Sequence, residues 1–66
     1  MEEIDLWRAA DQMIRLYGPD AALQAGLRAD KMLDQGDVDG FHVWKRIAGA
    51  IEDLERKQQT AGESMN

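Results

Sequence analysis

Cysteine is absent from this chain, and histidine and proline occur once each. The first absence excludes disulfides and thiolate chemistry, so a polypeptide of 66 residues has to hold its shape by packing alone. It also fits a reducing compartment, and a cytoplasmic location is the expectation. A single histidine, His42, leaves no His/Cys ligand set for zinc within one chain. Basic charge is scarce as well: 8 Lys and Arg stand against 13 Asp and Glu, a formal net charge of -5. A nucleic-acid binder normally carries the opposite balance. No apolar run approaches the roughly 20 residues of a membrane span, and Met1-Glu2-Glu3 is acidic where a secretory leader is basic. Neither nucleic acid nor membrane is therefore an expected partner. Strand-like alternation of polar and apolar residues is missing too, which argues against a β-sheet architecture.

What is present is helical punctuation. A first segment from about Ile4 to Tyr17 ends at Gly18-Pro19, a glycine suited to a left-handed C-terminal cap and a proline suited to a first helical turn. A second runs from about Pro19 to Gln35 and ends at Gly36. Asp37 is placed to cap a third helix, with Asp39 adding negative charge near its positive end, and that helix continues to about Lys57. Residues Gln58 to Asn66 have no period and few apolar side chains, and are expected to form a disordered, flexible tail. The expected architecture is all-α: one compact three-helix domain over residues 1–57, with helices about 4–17, 19–35 and 38–57, and a tail over 58–66.

Placed at about 100° per residue, the third segment gathers Phe41, Trp44, Ile47, Ala48, Ile51 and Leu54 on one side. Lys45, Glu52, Asp53, Glu55 and Arg56 take the other. The second segment carries its smallest residues, Ala22, Ala25, Gly26 and Ala29, followed by Met32 and Leu33, along one side, where another backbone is expected to approach closely. Leu23 and Leu27 lie on its flank. In the first segment Ile4, Leu6, Trp7, Ala9, Ala10, Met13, Ile14, Leu16 and Tyr17 cover about 240°, where one packing face needs about 100°. Two readings account for that width. Either this helix sits between the other two and touches both, or Ile4, Trp7 and Ile14 are left over for a partner, a second copy of the chain being one choice.

Several motifs carry residues of chemical interest. In Gln35-Gly36-Asp37-Val38-Asp39-Gly40 the last residues fit the middle of a calcium loop. Its first position would be Gln35 and its twelfth Arg46, a cation where a bidentate carboxylate is required, so helix capping is the better account. Asp30 and Asp34, four apart, make with Asp37 an acidic surface that lacks a histidine to complete a ligand set. His42 falls on the polar side of the third helix, and Thr60 and Ser64 have no base placed to activate them. No glycine is followed by the Lys-Ser/Thr pair of a phosphate loop. A helix-turn-helix reading meets Asp37 and Asp39 where a recognition helix would approach phosphates. No catalytic, cofactor-binding or metal-binding residue is expected, no small-molecule substrate is evident, and the chain is not expected to be an enzyme.

From Gln35 to Leu54 the chain reads QGDVDGFHVWKRIAGAIEDL, which resembles the second half of a tetratricopeptide-type helical hairpin, often Q-G-D-aromatic-x-x-A. Ala29, Gly36 and Ala48 coincide with small-residue positions of that unit, whereas Phe41 replaces a usual alanine and Asp53 lies near the place of the closing proline. Only one copy is present, where stacked repeats need about three. This resemblance implies an antiparallel helix pair. Across Asp5 to Leu54 the chain is similar to a group of short, uncharacterised alphaproteobacterial proteins of unknown function. The residues that carry the similarity are Tyr17-Gly18, the spaced alanines from Ala21 to Ala29 with Arg28-Ala29-Asp30, the Gly36-Asp37 turn, and Trp44 followed by Ile47, Ala50, Ile51 and Leu54. That resemblance implies a bacterial setting and no particular activity.

The functional expectation is a protein–protein interaction module, self-association included, with Ile4, Trp7 and Ile14 as the contact surface. The alternative is an acidic regulator or inhibitor that binds a basic protein surface, which requires Asp11, Asp20, Asp30 and Asp34 to line one side of the folded domain. Neither reading involves a cofactor.

Overall fold

The computed structural model describes the backbone of residues 2–64 and the side chains of residues 2–57. The described chain is all-helical, with no strand. Its helical backbone forms two uninterrupted runs rather than the three separate ones expected. The first run is divided by a 3-10 turn, Gly18–Asp20, into α1 (Glu3–Tyr17) and α2 (Ala21–Asp34); the second is α3 (Val38–Ser64).

The two junctions differ because their glycines do. Gly18 takes φ 57° and ψ -128°, a combination open to glycine but outside the left-handed helical cap that was expected, and its N–H still donates to the Ile14 carbonyl. Pro19 follows inside the 3-10 turn, where its missing N–H costs no helical hydrogen bond. The chain is thus redirected at the single non-helical residue Gly18, and the 3-10 turn leads straight into α2. At the second junction Gly36 has φ 80°. The Gly36 N–H donates to Leu33 at 3.0 Å and the Asp37 N–H to Met32 at 2.8 Å, the paired bonds that close a helix on a left-handed glycine. Asp37 then starts α3: its Oδ1 accepts from the Gly40 N–H at 2.8 Å, the capping role assigned to it. Glycine at position 40 leaves room for that carboxylate, since a Cβ there would lie 2.6 Å from Asp37 Oδ2.

Helix α3 continues past the expected end at Lys57 to Ser64. Gln58, Gln59 and Ala61 are good helix formers, and propagation needs no apolar period once a helix is nucleated. The expected tail over 58–66 is therefore not supported, and its side chains lie outside the described residues. At about 1.5 Å per residue, the 27 residues of α3 span about 40 Å and set the 47 Å long axis of the molecule.

The core draws Leu6, Ala10 and Met13 from α1, Ala21 and Ala25 from α2, and Ile47, Ala50 and Ile51 from α3. α1 packs against both other helices, and α2 packs against α3. Most of the wide apolar arc of α1 is used in this way, with Trp7, Ala9, Ile14 and Tyr17 partly buried against the core and Ile4 and Leu16 in water. In α2 the buried line is Ala21, Ala25 and Ala29, all fully buried. Ala25 and Ala29 of the expected line lie on it, but the line is rotated, with Ala21 buried while Ala22, Gly26 and Met32 are only half-buried and Leu33 is exposed. Gly26 marks no close approach, because a Cβ there would meet nothing within 4 Å.

Candidate interaction surface

The three residues expected to form a contact surface lie along one side of α1, at spacings of three and seven. Ile4 is 57% exposed. Trp7 and Ile14 are half-buried and spend part of their surface on the protein's own core. The Trp7 ring carries the Lys57 ammonium from α3, with Nζ 5.7 Å from its centroid. Such a contact is worth about 0.5–1 kcal/mol at an exposed site and leaves the indole only partly available. The structure thus leaves Ile4 open and half-covers both Trp7 and Ile14.

A second cluster joins all three helices and was not foreseen. Arg28 on α2 donates through Nη2 to the Tyr17 hydroxyl at 3.2 Å, and its guanidinium carbon lies 5.0 Å from the Trp44 ring centroid. No acidic side chain pairs with it among the described residues. The guanidinium is held by an aromatic face and a phenol, a geometry that limits its rotamers and ties the end of α1 to the α2–α3 pair. Helical spacing within one segment carries no signal for such a contact, because its members come from three elements.

The outward side of α2 reverses the usual distribution. Leu23 is 62% and Leu27 52% exposed, four residues apart and opposite the buried alanines. Asp20, Asp30 and Asp34 are exposed along the same side. They enter no ion pair among the described residues. Asp11, the fourth member of the expected acidic array, sits on α1 and pairs with Arg15 Nε at 2.9 Å. The array therefore reduces to Asp20, the last residue of the 3-10 turn, with Asp30 and Asp34 of α2.

The remaining chemically interesting residues stay apart. His42 is exposed, its ring edge-on to Phe41 at 5.3 Å between centroids. Asp37 is committed to capping α3. Glu55 Oε1 is buried without a hydrogen-bond partner among the described residues, on a residue that is itself only half-buried. Among the described residues there is no cleft, no group of three His, Cys, Asp or Glu able to hold a metal, and no helix long and apolar enough to cross a membrane. No family model, curated protein or solved structure matches the chain.

Proposed function

We propose that this chain is a protein–protein interaction module: a non-catalytic all-helical unit, acting in the cytoplasm, whose partner is another protein or a second copy of itself. The observation that supports this most is large apolar surface left in water. Ile4, Leu16, Leu23, Leu27, Leu33 and Val38 are each half or more exposed, Leu23 and Leu27 are neighbours, and Ile4 lies beside the partly covered Trp7. Clustered apolar surface on a small domain is the usual mark of a contact site. In this reading Ile4, Trp7 and Ile14 form one contact surface and the open face of α2 another. Nucleic acid, membrane and small molecules have no part in it.

Sedimentation equilibrium tests the α1 surface. Ile4→Lys is expected to abolish a concentration-dependent dimer while leaving helical circular dichroism unchanged, since Ile4 contributes little to the core. A wild-type chain that stays monomeric at high concentration removes self-association through α1 from the proposal. The acidic-regulator reading is favoured by one observation, that Asp20, Asp30 and Asp34 enter no ion pair among the described residues, and its mark is partner binding that weakens steeply with salt.

A further inference from the structure

From Asp20, the last residue of the 3-10 turn, along α2, the residues Asp20, Leu23, Leu27, Asp30 and Asp34 recur at intervals of three, four, three and four. That rhythm keeps them on one line of the helix surface, the seam along which two helices pack side by side. All five are exposed, while Ala21, Ala25 and Ala29 face the core. The seam is therefore unoccupied by this chain's own helices, and it is apolar in the middle and acidic toward both ends. Lys31, also exposed, is the cation at its edge; Arg28 is drawn aside to Tyr17 and Trp44.

We propose that this seam docks a basic amphipathic helix of another protein, with an apolar stripe laid on Leu23 and Leu27 and lysine or arginine set against Asp20, Asp30 and Asp34. The inference rests on the interaction-module reading and names the partner class. Charge selects the occupant. A second copy fits badly: the two-fold arrangement that puts Leu27 on Leu27 sets Asp20 against Asp34, and the one that puts Leu23 on Leu27 sets Asp20 against Asp30. Like charges so placed disfavour self-pairing. Anionic lipid and nucleic acid are repelled by the same carboxylates. A helix with apolar residues at i, i+3, i+4 and i+7 and basic flanks satisfies both halves of the seam.

The test uses the full chain and a labelled synthetic leucine–lysine helix of about five turns, read by fluorescence anisotropy. A control peptide has the same composition scrambled so that its leucines share no face. The wild-type chain is expected to bind the amphipathic peptide well above the control, with affinity that falls as salt rises. Leu23→Gln with Leu27→Gln is expected to weaken binding about tenfold or more, and Asp30→Asn with Asp34→Asn to weaken it less and flatten the salt dependence. Glutamine is a good helix former at an exposed position and asparagine ranks with the aspartate it replaces, so both chains stay helical. Equal binding by the leucine double variant and wild type overturns the proposal, as does binding that perturbs α1 amides instead of α2. A wild-type homodimer dissolved by the leucine variant overturns it in favour of a second copy. No peptide binding at all also overturns it, and leaves the α1 surface to its own sedimentation result.

Discussion

Helices α2 and α3 pack against each other across the Gly36-Asp37 turn, yet they divide their residues between core and water in opposite ways. α3 places Ile47, Ala50 and Ile51 inside and Lys45, Arg46, Glu52 and Asp53 outside. α2 places Ala21, Ala25 and Ala29 inside and Leu23 and Leu27 outside. An isoleucine fully removed from water contributes about 1.5–3 kcal/mol, and an alanine methyl about 0.8 kcal/mol. α3 thus supplies much of the apolar area, and α2 supplies a smooth surface against which side chains from α1 and α3 can seat. The difference teaches that the buried face of a helix need not be its most hydrophobic one. Neighbours choose the face that fits, and the leucines that do not fit stay available to something else.

Three substitutions would break or sharpen this contrast. The largest effect is expected from Ile51→Ala, at a side chain with no exposure. Loss of area and the cavity left behind should cost about 2–5 kcal/mol, measured as the shift in urea midpoint at unchanged slope. Ala25→Leu comes next. It adds bulk where the methyl is already fully buried, and overpacking is expected to cost about 1–3 kcal/mol in the same titration. If Ala25→Leu were stabilising, the close fit of α2 to its neighbours would be wrong. Asp37→Ala should have the smallest effect, about 1 kcal/mol, because it removes one capping bond and leaves the α2 closure on Gly36 intact.

The Gly36-Asp37 junction was legible because its determinants are local: one glycine able to take positive φ and one carboxylate three residues before the amide it caps. The all-helical character and the buried side of α3 were legible for a similar reason, since Ile47 and Ile51 are strongly apolar and share a face. The rotation of α2 was not. Alanine and glycine are weakly hydrophobic, so Ala21-Ala25-Ala29 and Ala22-Ala25-Gly26-Ala29 read almost alike until the shapes of α1 and α3 select between them. Of the expected contact residues, Ile4 is open as anticipated, whereas Trp7 and Ile14 are partly consumed by packing that only the third dimension reveals. The α2 seam lay in plain view as a spacing, but its leucines were read as the flank of a buried face. The Tyr17–Arg28–Trp44 cluster had no sequence signal, because it is assembled from three helices.

The central claim is that α2 faces the core with alanine and the solvent with leucine. Methyl NMR with a soluble paramagnetic agent tests it in one measurement on the wild-type chain. Strong relaxation of the Leu23 and Leu27 methyls, with the Ala25 and Ala29 methyls protected, is the expected result. Protected leucines beside relaxed alanines would contradict it.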